Sequence, residues 1–347
     1  MKSKICLLLL LVLVLTAGCS ANTGGGTEAA SDKLQVVTTI FPPCDFVKNI
    51  GGDRVEVTML LKPGMESHSY EPTPKDIIKI MNCDLFLYAG GESDVWVEEL
   101  LAGNDREVRS KALLDWVDPL EEEHAEGMQI KAHGHDHDHE EEQDHEGEAD
   151  HDHENDSSEQ HSHAVHLEEE EYDEHVWTSP KNAMVIVDEI CSQLSELDPE
   201  NAAFYRANAD AYKEELKALD SAFEEVVAGA SRKEVVFGDR FPLLYFVKTY
   251  GLEYYAAFPG CSMETEPSAA TIAFLTEKVR EDEIPVVFYL EMSNGKIADA
   301  IAEAAGAETA VFYSGHAITA ADMANGENYL SLMYKNVETL KKALQGE

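Results

Sequence analysis

Fourteen histidines stand in this chain of 347 residues, and eleven of them fall between His124 and His166. The centre of the run reads His133-Gly-His135-Asp-His137-Asp-His139, and it continues through His145, His151, His153, His161 and His163. Imidazole and carboxylate both ligate transition metals, and imidazole suits zinc, copper and nickel in particular. Between Glu121 and Glu174 there are 23 acids against one base, Lys131, so about half of the net charge of -42 sits here. A solvated acidic linker would account for the acids but not the histidines, because Asp and Glu alone supply charge. Metal handling is the chemistry that uses both. No periodic apolar pattern runs through 121–171, so the stretch cannot offset the entropy of ordering and is expected to be a flexible loop.

The other three histidines, His68, His175 and His316, stand apart from the run, and the elements around them decide their meaning. The order strand, helix, glycine, strand is predicted at 34–40, 45–50, Gly51-Gly52 and 55–61. It recurs at 234–237, 242–250, Gly251 and 252–257, and again at 285–290, 296–305, Gly306 and 309–313. Short apolar strands alternating with amphipathic helices argue for an α/β fold, with parallel sheets flanked by helices on both faces. Units of this kind at both ends of the chain predict two lobes. Between them, Ser179 is the expected N-cap of a helix over 180–197, with Pro180 in its first turn. Asp198-Pro199-Glu200 opens a second helix, to about Val227, in which Phe204, Ala207, Ala211, Leu216, Leu219 and Phe223 keep helical spacing. At 1.5 Å per residue it would be on the order of 40 Å long, enough to join two lobes rigidly, although it can also pack on one sheet.

Open α/β sheets bind ligands beyond the carboxyl ends of their strands. His68 follows the strand over 55–61, Asp239 and Arg240 follow 234–237, Glu291 follows 285–290, and His316 follows 309–313. His175 lies just before the first interlobe helix. A lone histidine is more often a surface or satisfied core residue, but three at such positions point to one convergent site.

The N-terminus has Lys2 and Lys4, then an apolar stretch over 7–15 that is too short for an ordinary membrane span. It ends in Thr16-Ala17-Gly18-Cys19-Ser20, which resembles a bacterial lipobox, with Thr16 where Leu is commoner. The resemblance implies removal of 1–18 and lipid on Cys19, so that the protein is extracytoplasmic and anchored at the membrane. Residues 19–32, rich in Gly, Ser, Thr and Ala, read as a flexible tether. Of six cysteines, Cys6 would leave with the signal. Cys44, Cys83, Cys191 and Cys261 form no CxxC pair, which argues against a cysteine zinc site. A Cys44–Cys83 bridge and buried free thiols both remain open. The strong negative charge argues against nucleic acid as a partner.

Three segments resemble the metal-binding lipoproteins that serve ABC transporters for zinc and manganese. They are the turn leading to His68-Ser-Tyr70-Glu71-Pro72, the stretch Asp173-Glu-His175-Val-Trp177-Thr-Ser-Pro180, and the C-terminal helix around Tyr329 to Lys341. Zinc members often carry a His/Asp/Glu-rich loop ahead of the second histidine, as here. The resemblance implies an N-terminal lobe over 33–197 interrupted by the loop at 121–171, a linking helix over 198–229 and a C-terminal lobe over 230–347. It further implies a monomer that holds metal between its lobes and works with an ABC permease and its ATPase. The commonest members place a third histidine where this chain has Arg240, which cannot ligate a metal. We therefore expect His68, His175 and His316 as ligands, with Asp239 or Glu291 as the fourth. An Asp239–Arg240 ion pair is the competing reading. Three imidazoles and one carboxylate favour zinc, Zn(2+), over manganese, Mn(2+). The alternatives are a manganese carrier, a zinc buffer or cell-adhesion lipoprotein, and a zinc hydrolase. Against the last, no HExxH or separate general base is present.

Overall fold

The computed structural model describes residues 33–65, 70–103, 106–128, 171–260, 262 and 266–346. Cys19, His68, Cys261 and the loop histidines His133, His135, His137, His139, His145, His151, His153, His161 and His163, for which the sequence raises expectations, lie outside them. In the first lobe come β1 (Leu34–Thr38), α1 (Phe41–Gly51), β2 (Val55–Met59), α2 (Pro74–Asn82), β3 (Leu85–Tyr88), α3 (Val95–Ala102) and β4 (Ser110–Ala112). Two long helices follow, α4 (Pro180–Leu197) and α5 (Ala202–Ala228). The second lobe contains β5 (Glu234–Phe241), α6 (Leu244–Tyr250), β6 (Glu253–Pro259), α7 (Ala269–Glu281), β7 (Val286–Leu290), α8 (Lys296–Ala305) and β8 (Glu308–Phe312). The chain ends with α9 (Ala320–Ala324) and α10 (Tyr329–Gln345).

Each sheet has four strands, ordered β2-β1-β3-β4 in one lobe and β6-β5-β7-β8 in the other. All pairings are parallel. The two orders are the same with the numbering shifted by four, so each lobe's first strand is central and the connections leave it in opposite directions. That is the switch point at which an open α/β sheet leaves a crevice at its strand ends.

The strands are apolar on both sides, and the period of two sends alternate residues into different cores. Val36, Leu85, Leu87, Val235, Phe237 and Phe288 belong to one continuous core that runs through both lobes and includes α1, α4, α5 and α10. Their neighbours Val37 and Phe86 face a separate cluster with Ile80 of α2 and Val97 of α3. Val236 and Val287 likewise face Leu275 and Val279 of α7 and Ile301 of α8. The outer layers thus belong to one lobe each, and the inner layer is shared. On α5, Tyr205, Leu216, Leu219 and Phe223 are fully buried. The helix contacts α1 of the first lobe, α6 and α10 of the second, and α4 beside it. It is a shared core element, more than a strut holding two lobes apart.

Several boundaries differ from the sequence expectation for physical reasons. Helix α1 begins at Phe41, ahead of its expected start, because Pro42 and Pro43 fit its first turn. Ser179 does precede α4 but makes no side-chain cap; its hydroxyl accepts from Thr249 instead, at 2.9 Å. Strand β5 runs four residues past its expected end, with a register shift between Phe237 and Arg240. Gly238 sits at that shift, where a Cβ would lie 2.5 Å from Ala298 Cα, so only glycine lets α8 approach. The expected loop begins late as well: residues 121–128 are described, and Met128 is buried in the shared core. Cys44, Cys83 and Cys191 are free thiols, which excludes the Cys44–Cys83 bridge.

If the inner core is common to both lobes, truncating it should weaken them together. Phe223→Ala removes a ring that stacks edge-on against Phe246 at 4.9 Å, and should cost about 3–5 kcal/mol. Denaturant titration followed by near-UV and far-UV signals should give one shared transition at a lower midpoint; two separated transitions would show independent lobes.

Candidate metal site

His175 enters the site on a short turn, Val176–Thr178, just ahead of α4. The turn is pinned on every side. Asp173 Oδ1 accepts from the His175 backbone N–H at 2.7 Å and lies 3.1 Å from its Nδ1. The carboxylate therefore fixes the ring with Nδ1 protonated and Nε2 as the atom left to ligate. Tyr245 of α6 donates to the Asp173 carbonyl at 3.0 Å and accepts from Leu120 N–H at 3.0 Å. Thr178 Oγ1 donates to the His175 carbonyl at 2.8 Å. His175 itself is fully buried. Burial works against its charged form, but Asp173 first, then Glu174 and Glu122, outweigh it and hold the imidazole above the ordinary histidine range.

His316 comes from the loop after β8, 141 residues later in the sequence, and is also buried. Its ring centroid lies 5.1 Å from that of His175, at 72°. Trp177 stands against both, 5.5 Å from His175 and 5.1 Å from His316. The indole N–H donates to Ser314 carbonyl at 3.0 Å, and Tyr329 at the start of α10 donates to Trp177 carbonyl at 2.6 Å. One residue thus ties the His175 turn to the His316 loop and to the C-terminal helix. The sequence showed Trp177 as part of a motif, but nothing in it showed this clamp.

Among the described residues, Glu174, His175 and His316 form the group of three whose ligand atoms all lie within 4.8 Å of one another. Zinc ligands at about 2.0–2.1 Å in tetrahedral geometry are about 3.4 Å apart, so a small inward motion would suffice. Glu174 was absent from the expected set, since one more acid beside an acid-rich run gives no signal. In the structure its Oε2 accepts from Ser93 N–H at 3.0 Å, and its Oε1 is buried without a hydrogen-bond partner. Burial raises its pKa, against the pull of His175. Gly91 makes room for it: its φ is +83°, and a Cβ there would lie 2.9 Å from Glu174 Cβ.

Asp239 and Glu291 do not join this group. Asp239 Oδ1 accepts from Arg240 N–H at 2.8 Å and Oδ2 from Leu290 N–H at 3.1 Å, tying β5 to β7. Glu291 accepts from Ser314 N–H and Oγ–H at 2.9 Å each and from Gly315 N–H at 3.0 Å. Burial nevertheless pushes its pKa up to about 7, against those donors. It holds the loop that carries His316. Both carboxylates are hydrogen-bonded within the second lobe and lie outside the group of three.

A cavity of about 30 Å³ opens on the second-lobe side, lined by His175, Arg240, Leu290, Glu291, Ser314 and His316 among others. Since one water needs roughly 10–15 Å³, this volume suits an ion with one or two small ligands and excludes a sugar or peptide. His68 lies outside the described residues, but both flanks of its segment are close to the His316 loop. Gly64 N–H donates to Ile318 carbonyl at 2.9 Å, and Tyr70 lines a second small cavity together with His316.

Asp173→Ala should weaken zinc binding by about 10–100-fold, measured by competition with a chromophoric chelator at neutral pH. A loss under threefold would remove Asp173 from any role in orienting the ring.

The model of a family described as zinc-uptake complex component A, periplasmic, matches residues 36–343. A zinc-binding lipoprotein AdcA of Streptococcus pneumoniae is 33% identical over 327 residues, covering 92% of this chain and 58% of the relative. The high-affinity zinc uptake system protein ZnuA of Bacillus subtilis is 32% identical over 341 residues, covering 95% of this chain and 94% of the relative. The Zn(II)-bound ZnuA-like domain of Streptococcus pneumoniae AdcA superposes with a TM-score of 0.68 at 30% identity, covering 90% of this chain and 99% of that one. The laminin-binding protein Lbp of Streptococcus pyogenes, at 23% identity and a TM-score of 0.66, shares the fold. It covers 90% of this chain and 100% of that one.

Proposed function

The chain belongs to the zinc-uptake complex component A family, and from that premise we propose that it captures zinc outside the cytoplasm and passes it to an ABC permease driven by its ATPase. The observation that carries the reading is the buried meeting of His175, His316 and Glu174 from separate segments. We assign the imidazoles of His175 and His316 as ligands, with His68 as the third. Glu174 supplies negative charge beside the ion from the first-lobe side. Neutral imidazoles suit zinc better than manganese, which prefers oxygen. Among the described residues no helix is long and apolar enough to cross a membrane; attachment through lipid on Cys19, as a monomer, is part of the same proposal.

A hydrolytic reading finds less support. Three imidazoles can leave a zinc position open, but Glu291, the carboxylate of the cavity wall, has both oxygens occupied by loop donors. The likeness to a laminin-binding protein concerns fold alone and adds nothing for adhesion.

The histidine-rich run leaves the body close to the site. Glu121 and Tyr172 form an antiparallel bridge, one residue from Asp173 and two from Glu174, and Glu122 N–H donates to Glu171 carbonyl at 2.8 Å. We propose that the run binds several zinc ions weakly and raises their local concentration at this mouth.

Replacing His175 and His316 together by Ala should abolish the tight site, whereas deleting 131–168 should leave its constant within about threefold and slow uptake only when zinc is scarce. Equilibrium competition and zinc-limited growth would check the two arms. Retention of the tight site in the double variant would refute the assignment, and its loss on deletion would place a loop histidine in the primary site.

A further inference from the structure

A carboxylate with no part in the metal site lies buried where three helices meet. Asp45 of α1 is 8% exposed, and three donors converge on its Oδ2. They are the Tyr329 N–H of α10 at 3.2 Å, the Tyr212 hydroxyl of α5 at 3.4 Å and the Asn49 side-chain amide at 3.3 Å. Burial pushes the Asp45 pKa up, against the Tyr329 N–H, Lys48 and Tyr212, so a charge at this place is costly. Starting α10 does not require an acid from the other lobe, because Asn328 and Ser331 already cap that helix reciprocally. What sets Asp45 apart is what its partner Tyr329 touches.

Tyr329 is fully buried and held at both ends. Its N–H is fixed by Asp45, its ring stands edge-on to Phe46, the next residue of α1, at 4.9 Å, and its hydroxyl donates to the Trp177 carbonyl at 2.6 Å. Gly315, beside His316, sits against the same two rings: a Cβ there would lie 3.8 Å from Tyr329 Cδ2 and 3.9 Å from Trp177 Cδ1. The tyrosine therefore meets both the turn that carries His175 and the loop that carries His316. Further along α10, Asn336 accepts from the Tyr313 N–H and donates to the Tyr313 carbonyl, both at 2.7 Å, so the loop follows the helix wherever the helix is set. From this arrangement, and resting on the zinc reading above, we propose that Asp45 is a positioning residue for the zinc site. Through Tyr329 it fixes α10 against the first lobe, and so sets the separation of His175 and His316 and with it the affinity for zinc. Asp45 supplies no ligand atom to the group of three. It acts by keeping ligands in place before the ion arrives. All three donors use one oxygen, so a neutral acceptor of the same shape serves in its place.

The test uses the full chain, stripped of metal and held well below its unfolding temperature. Zinc affinity is read by chelator competition, ligand geometry by the visible spectrum of the cobalt-loaded protein, and stability by thermal unfolding. Asp45→Ala should weaken zinc binding about three- to tenfold and shift the cobalt bands. Asp45→Asn, which keeps an acceptor oxygen, should recover most of the affinity. Tyr329→Phe keeps the ring, loses the hydroxyl and should weaken zinc to a similar degree. Because the two residues act along one route, Asp45→Ala made in the Tyr329→Phe background should weaken zinc less than about twofold further. A lowered melting point in Asp45→Ala with wild-type zinc affinity and cobalt spectrum would overturn the proposal and leave Asp45 an acid of the fold alone. Effects that multiply in full in the double variant would overturn the route through Tyr329. If Asp45→Ala does not fold, Tyr329→Phe decides, and unchanged affinity and spectrum there would overturn the proposal. Absence of tight zinc binding in the wild type would instead overturn the functional reading on which the proposal rests.

Discussion

Two imidazoles that are to share one ion must be held at a fixed separation, and here the Trp177 indole sets it. It stands edge-on to both rings, at 5.5 Å and 5.1 Å. Its N–H reaches Ser314, two residues before His316, and its carbonyl receives Tyr329 from α10. Tyr329 N–H in turn donates to Asp45 of α1 at 3.2 Å, so the clamp continues into the first lobe. Asp45 is buried at the start of a 17-residue helix, where the exposed helix N–H groups and the macrodipole favour a carboxylate. Loosening any link would let the histidine rings move independently, and metal affinity depends on ligands already in place.

The shared core makes that clamp possible. Because the inner faces of both sheets pack on α1, α4, α5 and α10 in one apolar cluster, the strand ends of the two lobes have little freedom to drift. The outer clusters, confined to one lobe each, stabilise the sheets without touching the site.

Buried charge around the ion is managed by division of labour. Asp173 orients His175, Asp239 joins two strands, Glu291 holds the His316 loop, and Glu174 keeps one oxygen without a hydrogen-bond partner. Burial raises the pKa of Glu174 and Glu291, so each acid is kept near its role only by specific donors.

The sequence by itself determined the class of fold and the chemistry. Short apolar runs, helices ended by glycine, and histidines at strand ends are local signals, and local signals are written in neighbouring residues. They placed β1, β2, α8 and the long helix closely, and they marked His175 and His316. They passed over β3, β4, α2, α3 and α7, whose short runs lie among mixed residues without a clear period. What only the tertiary structure decided is which acid stands beside the imidazoles. Asp239 and Glu291 had the right positions along the chain, and Glu174 had none to distinguish it. How far a carboxylate is engaged by backbone donors depends on residues such as Leu290, Ser314 and Gly315, up to 51 residues away in the chain. No pattern of neighbours encodes that, because hydrogen-bond saturation is a property of the packed site.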